Sequence, residues 1–258
     1  MTLRLLAVHA HPDDESSKGA GTYARYRRLG VEVTVVSCTG GERGDVQNPA
    51  LESRAMADRD MGGIRRIEMA RAAELLGIGH RWLGYVDSGL PESPDELLPA
   101  NCFALIPLEI SAAPLVRVIR ELRPQVLVTY DESGGYPHPD HVRCHEVAVH
   151  AMDAAADPGR YPEAGPAWRV TKLYYDRILG RDGAEVTTMV PVGEFLDLRD
   201  AALRAHASQV PPDSRFFFGD RRRTATTEDF LLARSLVETS IPESDLFAGI
   251  VDDREVTT

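Results

Sequence analysis

The sequence predicts an α/β fold in which a mostly parallel sheet is flanked by helices. Short apolar runs at residues 3–8, 31–38 and 125–129 have the length and composition of strands buried on both faces, and residues 31–38 are rich in β-branched side chains. A helical segment at residues 16–29 joins the first two runs, and a helical connection requires the strands to be parallel. With 258 residues, 43% of them hydrophobic, the chain suffices for one large domain.

Glycine and proline mark where the remaining elements end. Gly30 and Gly77 suit helix C-termini, Pro124 follows a helix, and Pro139 suits the first turn of another. These signals predict a further strand at residues 80–85 and helices at 64–76, 112–122 and 140–156.

The composition changes near residue 157, where prolines and glycines become frequent. We therefore expect a catalytic core at residues 1–156 and a smaller C-terminal α+β part at 157–258. In that part we predict strands at 172–178 and 184–190 around a turn at 181–183, a helix at 195–209 and a last helix at 227–238.

The formal net charge of −11 argues against nucleic acid or an anionic membrane as a partner. No apolar run is long enough to span a bilayer, and the first residues lack a signal-peptide pattern. The three cysteines are scattered and form neither a disulfide framework nor a CxxC pair. These features predict a cytoplasmic protein that acts on small molecules.

The first predicted strand ends in a cluster of imidazoles and carboxylates: His9, His11, Asp13, Asp14 and Glu15. Histidine and aspartate are good ligands for zinc or a similar ion. An equally good interpretation of this stretch alone is an acidic turn that caps the next helix.

A second cluster, residues 130–141, follows the strand at 125–129 and contains His138, Asp140 and His141. The carboxyl ends of parallel strands lie at one edge of a sheet, so the two clusters can meet. Two histidines and a carboxylate would complete a catalytic zinc site with an open position, and a spare carboxylate and histidine could move protons. The residue types therefore suffice for metal-assisted hydrolysis; they suit iron(II) as well.

Two other features have alternative interpretations. The loop at Gly40 and Gly41 is glycine-rich but lacks a Walker or GxGxxG pattern, so a mobile loop is favoured over a nucleotide site. Arg65 and Glu68 share a helix face, where an exposed ion pair is the common situation.

The paired motifs at residues 11–15 (HPDDE) and 138–141 (HPDH) resemble the LmbE-like, or PIG-L-type, N-deacetylase superfamily. Within it the chain is most similar to the mycothiol S-conjugate amidases, along the stretches 8–20, 39–45, 82–91, 130–146 and 202–209. The resemblance implies a Rossmann-like fold and zinc-dependent hydrolysis of amide bonds.

The resemblance also implies roles for individual residues. The metal ligands would be His11, Asp14 and His141, with one Zn²⁺ per chain. Asp13 would be the general base, His138 a protonated imidazole that stabilises charge or acts as an acid, and Tyr136 an oxyanion contact. The substrate-binding residues would be Lys18, Arg65 and Asp87, and Lys18 would distinguish amidases from deacetylases.

The expected substrate is a mycothiol S-conjugate, with deacetylation of N-acetylglucosaminyl-inositol as the first alternative and non-hydrolytic nucleotide binding as the second. The segments at 177–185 and 215–224 look shorter than in the amidases. The sequence therefore supports the reaction type, amide hydrolysis, more directly than it supports this substrate.

Other polar residues of these stretches have weaker assignments. His9 and His145 are expected to be hydrogen-bonded neighbours rather than ligands. Asp140 and Glu15 can orient the ligand imidazoles, and His206 can line the pocket or lie at the surface.

Overall fold

The computed structural model describes residues 2–93, 95–176, 185–214, 216–217 and 226–251. Within these ranges one seven-stranded sheet runs through the molecule, in the order β3-β2-β1-β4-β5-β7-β6. The first five strands of that order are parallel, and β7 is antiparallel to both of its neighbours. The predicted fold class is confirmed. The strands are β1 (Arg4–His9), β2 (Glu32–Thr39), β3 (Gly79–Tyr85), β4 (Val126–Thr129), β5 (Lys172–Asp176), β6 (Thr188–Pro191) and β7 (Thr227–Ser235).

Helices cover both faces of the sheet. Alternate residues of β1 point to opposite sides, so Leu5 lies in one hydrophobic core and Leu6 in the other. The core around Leu5 includes side chains of α2, α4 and α7, and the core around Leu6 includes side chains of α5 and α6. The helices are α1 (Asp14–Lys18), α2 (Ala20–Arg28), α3 (Arg54–Ala57), α4 (Met61–Leu76), α5 (Leu108–Leu122), α6 (Pro139–Ala155) and α7 (Leu196–Ala205), with 3₁₀ turns at Phe103–Leu105, Pro162–Ala164 and Gly193–Phe195.

The predicted helix at 16–29 is divided in the structure. Gly19 leaves the helical conformation, with φ −145° and ψ 3°, and separates α1 from α2. Helix α5 begins four residues before the predicted start and therefore contains Pro114 in its interior. The other predicted helices of the first 156 residues agree with the structure to within three residues at either end.

The prediction of a last helix at 227–238 was wrong. Residues Thr227–Ser235 form β7, which pairs with both β5 and β6. Leucine, alanine and arginine favour a helix locally, but two unpaired strand edges offer backbone hydrogen bonds that override this preference. The predicted strands on either side of residues 181–183 are consequently not neighbours, and the turn itself lies outside the described residues.

The C-terminal strands extend the same sheet that the first four strands begin. The division of the chain at residue 156 remains a prediction. Within the described ranges, none of the helices has the length and apolar character needed to cross a membrane.

The order of the strands determines where a ligand can bind. From β1, successive strands run towards β2 and β3 on one side and towards β4 and β5 on the other. Crevices open at such a reversal, outside the carboxyl ends of the strands. The loops that follow β1 and β4 carry the two histidine–carboxylate clusters to this position.

Candidate active site

The loops after β1 and β4 place three potential metal ligands together. His11 lies just after β1, Asp14 begins α1, and His141 is in the first turn of α6. The Oδ2 atom of Asp14 is 3.7 Å from Nδ1 of His11 and 3.5 Å from Nε2 of His141. One donor atom of each residue lies within 4.8 Å of the others, and all three residues are buried.

A second group, which shares His11 with the first, also satisfies this distance criterion: His11, His138 and Asp140. In this group Asp140 accepts hydrogen bonds from the backbone N–H and hydroxyl of Ser88 and lies 3.2 Å from His11 Nε2. By contrast, Nε2 of His141 is buried with no hydrogen-bond partner among the described residues, while its Nδ1 contacts the Gly134 carbonyl. The orphaned nitrogen favours His11, Asp14 and His141 as the set that fits a cation.

Asp14 is held as an ionised carboxylate. Its Oδ2 accepts hydrogen bonds from the Tyr130 hydroxyl at 2.7 Å and the backbone N–H of His11 at 3.0 Å, and Oδ1 pairs with the Lys18 ammonium group. Burial by itself would raise the pKa of Asp14, but Lys18 and His141 outweigh it and hold that pKa well below its ordinary value. Asp14 is therefore ready to bind a cation.

Asp13 is adjacent to Asp14 but faces another direction. Its backbone is left-handed, with φ 97° and ψ −25°, and its Oδ2 accepts a hydrogen bond from Arg65 at 2.9 Å. Burial and the neighbouring Asp14 carboxylate raise the pKa of Asp13, although Arg65 opposes them. A carboxylate with a raised pKa is better suited to accepting a proton.

His138 caps the N-terminus of α6. Its Nδ1 accepts the backbone N–H of Asp140 at 3.1 Å, so this nitrogen carries no proton. Burial and the neighbouring His11 lower the pKa of His138 to about 4. In this geometry His138 is a neutral imidazole with its proton on Nε2, whereas the resemblance implies a protonated ring.

The carboxylates around His11 favour positive charge at this point. Burial alone would lower the pKa of His11, but contacts with Asp140, Asp87 and Asp14 raise it to about 10. Nε2 of His11 lies 3.6 Å from Oδ1 of Asp87. A site with this charge balance stabilises a cation, either on the imidazole or bound beside it.

A pocket of about 270 Å³ opens over these side chains. His11, Asp13 and Asp14 lie among its lining residues, together with the expected substrate contacts Arg65 and Asp87. His138 and Tyr136 line it as well, and Tyr136 is 43% exposed. Lys18 is not one of the residues that line this pocket; its ammonium group lies against Asp14.

Comparison with known proteins identifies the family. The sequence pattern of the family PIG-L, GlcNAc-PI de-N-acetylase, matches residues 6–152. The chain belongs to this family. The match covers both histidine–carboxylate clusters, and the resemblance noted in the sequence is confirmed.

Full-length relatives of this PIG-L protein are amidases and deacetylases. It is 46% identical to mycothiol S-conjugate amidase of Streptomyces coelicolor, with 97% of this chain and 98% of the relative covered. It is 40% identical to 1D-myo-inositol 2-acetamido-2-deoxy-alpha-D-glucopyranoside deacetylase of Geodermatophilus obscurus, with 96% and 98% covered. The predicted class of enzyme, an amidase or deacetylase, is therefore confirmed.

Solved structures share the fold of the PIG-L protein. The N,N'-diacetylchitobiose deacetylase from Pyrococcus horikoshii superposes with a TM-score of 0.67 at 23% identity, over 89% of this chain and 83% of that one. A conserved protein from Thermus thermophilus superposes with a TM-score of 0.65 at 26% identity, over 92% and 98%.

Two interpretations of the helix α4 and the segment after α7 were wrong. Arg65 and Glu68 do not form an exposed ion pair, because both are buried and bind different partners: Arg65 contacts Asp13, and Glu68 accepts two hydrogen bonds from Ser208. His206 lies neither in the pocket lining nor at the surface. It is fully buried and bonded to Glu15, so Glu15 orients His206 rather than a ligand imidazole.

His9 and His145 have the hydrogen-bonded surroundings that the sequence suggested for them. Nε2 of His9 lies 2.9 Å from the Tyr23 hydroxyl, and Nδ1 of His145 lies 2.9 Å from the Tyr130 carbonyl oxygen. Neither histidine belongs to the metal-ligand groups found among the described residues.

Sequence reasoning missed Tyr130 and Ser88 as parts of the site. The Tyr130 hydroxyl accepts the N–H of Ala10 while it donates to Asp14, and Ser88 holds Asp140. Tyr130 directly follows β4, and Ser88 lies three residues after the end of β3. Their positions beyond the carboxyl ends of strands are the sequence signal that indicates them. Arg43, Gln47 and Gln209 also line the pocket and were not predicted.

Proposed function

We propose that this protein is a zinc-dependent amidase that cleaves mycothiol S-conjugates. The bond would be the amide that joins glucosaminyl-inositol to the S-substituted N-acetylcysteine, and the role would be thiol-linked detoxification or trimming of a thiol conjugate. The observation that carries the proposal is the buried donor set His11, Asp14 and His141. Two of its members, His11 and Asp14, line a pocket that also contains Asp13. The full-length likeness to an amidase of this name supports the choice of substrate.

In this proposal His11, Asp14 and His141 hold the zinc ion. When bound, the ion supplies Lewis acidity, which polarises a carbonyl oxygen and acidifies a water molecule. Tyr130 and Lys18 hold the two oxygens of Asp14, and Asp140 orients His11, so the ligands are preorganised.

Asp13 is the proposed general base. Its carboxylate lines the pocket beside the ligands, and the hydrogen bond from Arg65 fixes its direction. It would take a proton from the attacking water and later return it to the amine that leaves. The free Nε2–H of His138 would donate a hydrogen bond to the developing oxyanion, together with the exposed hydroxyl of Tyr136.

Arg65 and Asp87 are the proposed contacts to the sugar–inositol part of the substrate. Both line the pocket, and both offer groups that bind hydroxyls. Lys18 can reach a substrate only by leaving Asp14, since the two are paired in the structure.

The second candidate is a deacetylase that releases acetate from N-acetylglucosaminyl-inositol, and the relatives at about 40% identity favour it. Parallel assays of the zinc-loaded protein on a mycothiol S-conjugate, on that deacetylase substrate and on plain N-acetylglucosamine separate the two. We expect release of the S-substituted N-acetylcysteine to have the highest kcat/KM. Dominant acetate release would instead establish the deacetylase, and absence of turnover on all three would refute both candidates.

The metal is tested in the same assays by loading the protein with zinc or, without oxygen, with iron(II). We expect zinc to support turnover. Activity with iron(II) alone would overturn the zinc assignment, because the same three ligands suit both ions.

The non-hydrolytic nucleotide-binding alternative is not favoured by the described residues around the Gly40–Gly41 loop. The cation beside this loop, the guanidinium group of Arg65, already donates hydrogen bonds to the Pro12 carbonyl and the Asp13 carboxylate. Arg65 also donates a hydrogen bond to the Gly41 carbonyl at 3.1 Å. The cytoplasmic location remains a prediction.

A further inference from the structure

Asp13 has a backbone conformation that a side chain rarely adopts. A positive φ is uncommon outside glycine, although aspartate and asparagine tolerate it better than other residues. Such a conformation persists only where the surroundings hold it. Here the carbonyl oxygen of Asp13 accepts the N–H groups of Ser16 and Ser17, at the start of α1, at 3.1 and 3.0 Å.

Glu15 supplies the contact at the other end of the same residue. Its Oε2 accepts the backbone N–H of Asp13 at 2.9 Å. Glu15 is fully buried, so this carboxylate cannot exchange its protein partners for water. Glu15 therefore holds the N–H end of the peptide unit that precedes Asp13, while Arg65 donates to the carbonyl end, at Pro12.

His206 in turn holds Glu15. Its Nε2 lies 2.7 Å from Oε1 of Glu15, and both side chains have no exposed surface. The Ser16 hydroxyl donates to the same oxygen. One carboxylate thus connects the segment after α7 with the N–H of Asp13, across 191 positions of the sequence.

The segment that carries His206 is itself fixed to the core. Ser208 donates its backbone N–H and its hydroxyl to Glu68 of α4, each at 2.7 Å. Its carbonyl oxygen accepts the N–H of Gln47 at 2.9 Å. His206 therefore approaches Glu15 from a fixed support and does not depend on α1 for its position.

We infer that His206 is a positioning residue for the amide hydrolysis proposed above, which acts through Glu15 on the backbone of Asp13. The inference rests on the role proposed for Asp13. His206 touches neither the pocket nor the three ligands, and its contribution is to keep the left-handed turn that directs the Asp13 carboxylate into the pocket. His206 lies outside the motifs at residues 11–15 and 138–141 and outside the pocket lining, so neither feature indicates this role.

His206→Leu removes the hydrogen bond at nearly constant volume. We expect kcat on the best amide substrate to fall about 10- to 100-fold, in the range found for partners that orient catalytic groups. KM and the zinc content per chain should stay close to the wild-type values, because the pocket contacts and the ligands are intact. His206→Gln places an amide N–H near the same point and should restore most of the lost kcat.

Ser208→Ala is the matched control. Ser208 lies two residues after His206, and the change removes only its hydroxyl bond to Glu68. The backbone N–H still donates to Glu68 and the carbonyl still accepts from Gln47, so the segment and the contact of His206 with Glu15 stay in place. We expect it to lower the melting temperature with little change in kcat. If kcat falls equally in His206→Leu and Ser208→Ala, or if His206→Gln restores nothing, His206 has only a structural role and the inference is wrong.

Crystal structures decide the matter whatever the substrate is. In His206→Leu, or in His206→Asn should the first variant not fold, we expect Asp13 to leave the left-handed region or its carboxylate to turn from the pocket. The shorter asparagine amide does not reach the position of the His206 Nε2 atom that contacts Glu15. An unchanged Asp13 in either variant would overturn the inference. Absence of any amidase activity in the wild type would refute the proposed function separately, without affecting this structural comparison.

Discussion

Asp13 and Asp14 show how two neighbouring carboxylates acquire different properties. Asp14 begins α1 and turns towards His141 and Lys18, which lower its pKa, whereas the left-handed Asp13 faces Arg65 and has a raised pKa. The sequence indicates that the two side chains diverge, because adjacent residues cannot face the same way. Which of them faces the proposed metal site depends on one positive φ angle. The spacing of the residues does not specify it, and only the family resemblance assigns Asp14 to the metal.

Asp13→Asn tests the proposed base. Asparagine tolerates the left-handed conformation and can still accept the hydrogen bond from Arg65, so the structure should be retained. It cannot accept a proton at neutral pH, and we expect kcat to fall about 10²- to 10⁴-fold. Zinc content measured by atomic emission should remain at one per chain; turnover within a few-fold of the wild type would remove Asp13 from this role.

Tyr130→Phe tests the hydroxyl that connects the two loops. The change removes a donor to Asp14 and leaves the buried N–H of Ala10 without an acceptor. We expect a loss of about 1–3 kcal/mol in the free energy of unfolding, measured with urea, and zinc affinity about 10- to 100-fold weaker. Tyr85→Phe is the control: it removes a hydroxyl that, within the described part of the chain, donates to the carbonyl oxygens of Ile110 and Ser111, and it should leave zinc affinity unchanged.

Lys18→Met tests whether this residue selects the substrate. Because its ammonium group binds Asp14 and lies outside the pocket lining, we expect kcat/KM for conjugate cleavage and for deacetylation to fall by a similar factor. The ratio of the two values is the measurement. A selective loss of conjugate cleavage would show that Lys18 reaches the substrate, as the resemblance implies.

At the scale of elements, the loop before α6 and the helix itself together determine the position of the proposed ligand His141. Gly134 has φ +67°, and a Cβ atom there would lie 2.6 Å from Cβ of His141 and 2.8 Å from the Val142 nitrogen. The loop therefore presses directly on the first turn of the helix that carries a proposed ligand. Glycine at this position is required both by backbone conformation and by the closeness of the helix.

Gly134→Ala and Gly30→Ala form a matched pair. Both glycines have positive φ, so alanine costs about 1–2 kcal/mol of strain at either position. Only Gly134 has neighbours within 4 Å of the added atom. We expect Gly134→Ala to lose more stability than Gly30→Ala and to bind zinc more weakly, as measured by urea unfolding and zinc titration. Equal effects would show that the loop can move away from His141.

The elements around β1 and β4 could be predicted from the sequence, whereas β7 could not. A run such as residues 126–129 is apolar on both faces and flanked by Pro124, so its local pattern and its tertiary environment agree. Residues 227–235 have helix-forming side chains, and their state is decided by pairing with two other strands, β5 and β6, which no local pattern records. The buried contact between Glu15 and His206 was missed for the same reason, since no local signal indicates such a partner.

The whole molecule is a sheet whose strand order brings distant segments to one edge. The parallel β1–β2 arrangement and the position of the two clusters at one edge followed from the sequence, because helical connections impose parallel pairing. The antiparallel edge of the sheet, formed by β7 and β6, did not follow from the sequence. The type of chemistry at the site could thus be predicted from the sequence. The contact of His206 with Glu15, through which the segment after α7 holds Asp13, could not.

The proposed metal site joins two segments that are far apart in the chain, so the metal should stabilise the fold as a whole. A ligand that binds only the folded state at about 100 times its Kd adds about 2.7 kcal/mol to the free energy of unfolding. We expect zinc to raise the melting temperature of chelator-treated protein, and we expect Asp14→Asn and His141→Ala to abolish that rise. His138→Ala should retain it, because His138 caps α6 and is not in the preferred donor set. If His138→Ala abolishes the rise and His141→Ala does not, the ion is bound instead by the group that contains Asp140, and the orphaned nitrogen of His141 has another explanation.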